Sequence, residues 1–160
     1  MLKIIPEEIS LIFTETALHS VINATEWILD SGATNHICSN KALFTHIELH
    51  DIALKWGIAG QIRTSGIGTV KIHFQSTNQK AELTRCLYVP ELGVNLLSQG
   101  ILNEKGLNTL FNPKDCLIRQ GKTIIARGHY ERKLLVFQAH SIRPVKESAT
   151  ALYIAKDPMI

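Results

Sequence analysis

No stretch of this 160-residue chain approaches the roughly 18 uncharged apolar residues that a membrane-spanning helix needs, so no membrane partner is expected. Cysteine is scarce. Cys38, Cys86 and Cys116 are far apart, odd in number and without a C-x-x-C pair. They exclude a disulfide framework and read as reduced thiols of an intracellular chain. A signal peptide is not expected either, because MLKIIPEEISLIF carries Pro6, Glu7 and Glu8 where its apolar region would lie. The acceptor pattern at Asn23-Ala24-Thr25 is then idle. Basic runs are missing: Lys71, Lys80, Arg85, Lys105 and Lys114 are scattered, and a formal net charge of +3 is too weak to imply nucleic acid. Repeats and low-complexity tracts are absent as well.

What is present describes an ordinary globular chain. Hydrophobic residues make up 45% and charged residues 19%, enough for a modest core in one domain. The first 25 residues form an arm without an assignment. PEEISLIFTETALHSVI opens like a helix, with Pro6 and two acids, whereas SLIFTET alternates like a strand. Residues 26–138 read as short strands between turn residues. In QIRTSGIGTVKIHFQ, Val70, Ile72 and Phe74 share one face while Lys71 and His73 take the other, the pattern of a half-buried antiparallel strand. AELTRCLYVP repeats it, with Leu83, Cys86 and Tyr88 among its apolar positions. NLLSQGILNEKGL changes period and predicts one short helix ended by Gly106. Many short strands and one helix predict a mainly β fold, a small barrel or sandwich. Residues 139–160, rich in Pro, Lys, Glu and Ser in their first half, suit a linker.

The stretch WILDSGATNH places Asp30 at the end of an apolar run. By itself Asp30-Ser31-Gly32 reads first as an ordinary turn. It has a second use: a carboxylate at a strand-to-loop turn can sit at the floor of a cleft, with glycine letting backbone approach closely. Two such carboxylates brought together share one proton, so one activates water while the other donates to a scissile carbonyl. Downstream, SGIGTVKI supplies Gly66 and Gly68 at what reads as a hairpin turn, either a plain hairpin or a mobile flap closing over a peptide. VNLLSQGILNEKG then gives an apolar strand end and a helix, where a second wall of such a cleft would stand.

These blocks, in this order, resemble the protease region of copia-type LTR retrotransposon polyproteins from Trp27 to about Gln138. WILDSGATNHICSN resembles that family's W-x-x-D-S-G-A-[ST]-x-H signature, GIGTV its flap, and CLYVPELGVNLLSQGILNEKG its L-Y-V-P-x-L-x-x-N-L-L-S block. The resemblance implies a small closed β-barrel of the retroviral aspartic-protease kind. It assigns catalysis to Asp30, support of the catalytic loop to Ser31, Gly32 and Ala33, and a flap to Gly66, Ile67 and Gly68. Leu96, Leu97 and Ser98 fall where retroviral enzymes have an apolar-apolar-glycine turn, with serine replacing the glycine. Asp51, Asp115 and Asp157 lie in other contexts, so one chain carries one D-S-G, and the carboxylate pair requires a homodimer. The implied substrate is a polyprotein or peptide. The implied setting is cytoplasmic, inside a virus-like particle in an intact element. No cofactor or metal is implied.

Other constellations are weaker. His36 and Cys38 form H-x-C, but no second pair has ligand spacing, and His36 reads as a loop residue hydrogen-bonding near the site. His46 and His50 lack an H-E-x-x-H pattern. Ser31 is not in G-x-S-x-G. The zinc knuckle, integrase and reverse transcriptase of such polyproteins are not represented. The tail ends about where a pre-integrase module would begin, so the chain reads as a fragment, or as a domesticated or decayed copy. Two functions follow: an aspartic endopeptidase active as a homodimer, or an inactive β-barrel remnant or protein-binding module. Whether the chain is an enzyme turns on dimerisation.

Overall fold

The alternating apolar run Gly66–Phe74 becomes one of the three longest strands, with Val70, Ile72 and Phe74 buried and Lys71 exposed. The structure, a computed structural model, describes residues 25–56 and 60–142. Apart from Thr25, the N-terminal arm lies outside them, as does the linker beyond residue 142.

Twelve strands follow in chain order among the described residues. β1 is Glu26–Asp30, β2 Ile37–Cys38, β3 Phe44–Leu49 and β4 Ala53–Trp56. β5 is Gly60–Arg63, β6 Gly66–Phe74, β7 Lys80–Tyr88 and β8 Asn95–Ser98. Then come a helix, α1, at Gln99–Glu104, and strands β9 (Asn108–Phe111), β10 (Asp115–Gln120), β11 (Thr123–Glu131) and β12 (Leu134–Ser141). The expected mainly β fold with one short helix is therefore present, and β12 runs three residues past the expected boundary at 138.

Strands β6, β7, β2, β8, β1 and β12 pair in that order, and β12 pairs back onto β6, so the sheet closes into a ring. β3 is added outside β6, while β11, β10 and β9 continue from β12. β4 and β5 form a separate two-stranded sheet, a hairpin.

Leu83 and Cys86, three residues apart, are both buried, which strict alternation forbids. The register explains it. Gly68 faces Cys86 and Val70 faces Leu83, so Thr84 and Arg85 together oppose Thr69 in a β-bulge, with Arg85 at φ 53.

Two apolar clusters result. The main core gathers Trp27, Leu29, Cys38, Val70, Ile72, Leu97 and Phe137, among others. The second contains Ile28, Leu96, Leu134 and Val136, capped by Val89, Leu92 and Val94 and by Ile62 of the β4–β5 hairpin. The wall formed by β1, β8 and β12 is thus apolar on both faces, as strand alternation dictates for the pairs Trp27/Phe137 and Ile28/Val136.

Helix α1 ends as its sequence predicts. Gly106, at φ 86, donates to Asn103 O at 3.0 Å, and Leu107 donates to Leu102 O at 2.9 Å, the paired bonds of a Schellman motif.

One expectation needs correction. Gly66 and Gly68 do not make a hairpin turn; they lie inside β6, paired with β3 and β7. Their missing side chains serve close packing. A Cβ on Gly68 would stand 1.9 Å from His46 O, and one on Gly66 would stand 2.8 Å from Ile47 Cδ1. The hairpin in this part of the chain is β4–β5.

Candidate active site

β1 delivers Asp30 to its end. Trp27 and Leu29 point into the main core and Ile28 into the second cluster, so alternation puts Asp30 on the Ile28 side. Its carboxylate is buried, the residue being 4% exposed. Oδ1 accepts the Gly32 N–H at 2.8 Å, the local bond of an Asx-type turn. Oδ2 is buried as well and has no hydrogen-bond partner. An ordinary turn accounts for Oδ1 and leaves Oδ2 unexplained, since turn aspartates normally face water. An unsatisfied buried acceptor costs about 1–3 kcal/mol, which a structural role alone does not justify.

β8 lies beside β1 in parallel register, with Ile28 opposite Leu96, Leu29 opposite Leu97 and Asp30 opposite Ser98. Leu97 fills the main core and Leu96 the second cluster. Ser98 is fully buried and uses both of its polar groups. Its hydroxyl donates to Ala33 O at 2.7 Å and accepts from Ile101 N at 3.2 Å, capping α1. Its backbone N–H donates to His36 Nδ1 at 3.0 Å. Glycine at this position could make neither hydroxyl bond. The serine fastens the loop that follows Asp30 to the start of the helix.

His36 is nearly fully buried, and burial pushes its pKa down to about 4, with the Lys105 ammonium adding to the effect. It is a neutral acceptor with the proton on Nε2. Cys38 donates its thiol to Asn40 O at 3.5 Å, and burial pushes its pKa up to about 12. His36 and Cys38 are thus engaged separately and do not form a ligand pair. Burial also raises Cys116 to about 11 and holds Cys86 well above the ordinary thiol value, so the three thiols are core groups, as their sequence settings predict.

The other residues expected at the site divide. Gly32 and Ala33 are buried in the loop and Ser31 is exposed. Ile67 packs against the second cluster, so it shares the apolar face with Ile28 and Leu96. Gly66 and Gly68 shape the β3–β6 contact, and no bond joins them to Asp30 in the described residues.

Two features escaped the sequence reading. Asn95 is buried, accepts the Ser39 N–H at 3.1 Å through Oδ1, and donates to Glu26 O at 3.4 Å. Ser39 in turn donates its hydroxyl to Val94 O at 2.7 Å, so the chain just past β2 is also tied to the start of β8. A lone asparagine inside the apolar run V-N-L-L-S was the signal available. The second feature is the packing of the β4–β5 hairpin, whose Ile62 and Leu54 lie on the Ile28 face. Its base is pinned by buried Thr64, which donates to His50 O at 2.7 Å and accepts from Ile52 N at 3.1 Å.

Comparison with known proteins places this geometry in context. A family model described as the Pol polyprotein beta-barrel domain matches residues 27–107. The transposon Ty5-1 protein YCL075W of Saccharomyces cerevisiae is 38% identical over 87 residues, which cover 51% of this chain and 54% of that protein. The retrovirus-related Pol polyprotein from transposon RE2 of Arabidopsis thaliana is 32% identical over 89 residues, 51% of this chain and 6% of its own. That from transposon RE1 of the same plant is 28% identical over 139 residues, 81% of this chain and 9% of its own. The chain thus spans about half the length of the yeast relative and under a tenth of the two plant polyproteins. No solved structure matches.

Proposed function

The chain belongs to the retrotransposon Pol polyprotein beta-barrel domain family, and on that premise we propose that it is an aspartic endopeptidase domain, active as a homodimer that contributes one Asp30 from each copy. The observation that carries this reading is the buried, unpartnered Oδ2 of Asp30, set at a strand end in a D-S-G loop. A second carboxylate brought against it by a two-fold axis would share one proton with it. The ionised member takes a proton from water, and the water oxygen attacks the peptide carbonyl. The protonated member donates to the carbonyl oxygen, and the tetrahedral intermediate then collapses with proton transfer to the leaving amine. The pair titrates as a unit. Behind Asp30 the Ile28 face is buried core, with Leu96 and Ile62 packed on it and partly buried Ile67 and Leu54 at its edge.

The alternative is a catalytically inactive remnant or protein-binding module. One observation favours it: within a single chain the Asp30 carboxylate is closed off from solvent. Peptide-library cleavage at pH 4 to 6, with and without pepstatin and beside Asp30→Asn, separates the two, with sedimentation reporting the dimer. Pepstatin-sensitive cleavage lost in Asp30→Asn supports the protease. A dimeric protein that cleaves nothing sinks it.

A further inference from the structure

We propose that His36 is a positioning residue for the Asp30 loop, seating it on the β8–α1 turn by accepting the Ser98 backbone N–H as a neutral imidazole. Its catalytic consequence rests on the aspartic-endopeptidase reading; the contact itself does not.

The loop leaves β1 at Asp30 and re-enters the sheet at Ile37. Between those points one residue, Ser98, grips it twice: the hydroxyl holds Ala33 O, and the backbone N–H holds His36 Nδ1. Ser98 stands in register with Asp30. A shift at Ser98 therefore moves the strand end that faces the carboxylate, and a shift at Ala33 moves the loop that carries Gly32, the donor to Oδ1. Among the described residues the His36 side chain bonds to Ser98 and not to Asp30. It acts through Ser98.

An imidazole accepts at Nδ1 only while that nitrogen is unprotonated. Protonation would set two donors face to face in a buried place, where neither finds water. The charged group acting on the contact is Lys105, just beyond α1. Burial and Lys105 both act against the cation and hold His36 down to about 4. An ordinary histidine is mostly charged at about pH 5. This one keeps its lone pair there, in the acid range where carboxylate pairs sharing one proton operate.

The test is hydrogen exchange at the Ser98 amide, measured by NMR on the full chain, in wild type, His36→Leu and His36→Asn. Asparagine places Oδ1 close to where Nδ1 stands, so it can accept but does not titrate. Protection should fall about 10- to 100-fold in His36→Leu, the cost of leaving one buried donor unpaired, and be largely retained in His36→Asn. On acidification, wild type should lose protection through pH about 4, while His36→Asn keeps it. If His36→Leu does not fold, the pH comparison between wild type and His36→Asn decides alone. In cleavage assays kcat should drop at least tenfold in His36→Leu with KM little changed, and recover in His36→Asn. Equal protection in wild type and His36→Leu, or the same pH dependence in wild type and His36→Asn, overturns the assignment. Cleavage that survives Asp30→Asn removes the protease reading instead and leaves the exchange result standing.

Discussion

Asp30 and Ser98 face each other across the parallel β1–β8 pair and divide the hydrogen bonding of the site unequally. Ser98 satisfies its N–H and its hydroxyl on the loop and the helix. Asp30 leaves one oxygen buried and unbonded. The serine is a structural clasp, and the aspartate carries an unmet demand.

That demand predicts opposite effects on stability and activity at one position. Asp30→Asn keeps an oxygen to accept from Gly32 and replaces the unpaired carboxylate oxygen by part of a neutral amide, which is less costly to bury. Urea unfolding should show a variant at least as stable as wild type, by up to about 1–3 kcal/mol. Peptide cleavage should be abolished. A large loss of stability would mean that Oδ2 has a partner in the folded chain and that its orphan state does not mark function.

Ser98→Ala tests the clasp. It removes the cap of α1, worth about 1 kcal/mol, and leaves buried Ala33 O without its donor, worth about 1–3 kcal/mol. Denaturant unfolding should show a loss of about 2–4 kcal/mol by simple addition. Ser98→Gly should lose less from the cap and as much from Ala33.

Gly68→Ala should be more damaging than its size suggests. The added methyl would meet His46 O at 1.9 Å and Ile47 Cα at 2.7 Å, both backbone atoms, so β3 must move off β6. A cost of about 2–4 kcal/mol is expected, at or above the usual range for overpacking, because backbone cannot rotate away. Gly93→Ala is the control: it has open space but φ 78, and should cost only about 1 kcal/mol. Thermal unfolding of the two variants separates close approach from backbone strain. Gly68→Ala as mild as Gly93→Ala would return these glycines to the role of a free loop.

The contrast shows how much of the fold was legible. Period-two alternation revealed the buried face of Val70, Ile72 and Phe74, and the change of period marked α1, because both report burial on a regular element. The glycines of G-I-G were misread because glycine marks any place where a Cβ cannot go. A turn and a crowded strand crossing leave the same trace in sequence. The bulge at Thr84 and Arg85 was invisible for a related reason: one extra residue shifts parity without changing composition. Asp30 could be picked out from its neighbours. The orphan state of Oδ2 could not, since burial of a single atom depends on tertiary packing, and even the neighbouring strand β8 lies nearly seventy residues on in sequence.

His36 is held at about 4 in the fold and titrates near its ordinary value of about 6.5 when unfolded. Between those values the unfolded chain binds the proton that the folded chain refuses. Stability from this residue is therefore fully present above pH 6.5 and lost as pH falls toward 4. The difference of about 2.5 units corresponds to about 3 kcal/mol. Urea midpoints at pH 7, 5.5 and 4 should fall steadily in wild type and much less in His36→Asn, whose side chain does not titrate. Carboxylates paired in the fold, such as Asp51 with Arg63, are lowered too, so their stability is lost below about pH 4 and does not mimic the change between 6.5 and 5. A wild-type midpoint that stays level from pH 7 to 5 would show that His36 is charged in the fold, and that Ser98 N–H is held by something else.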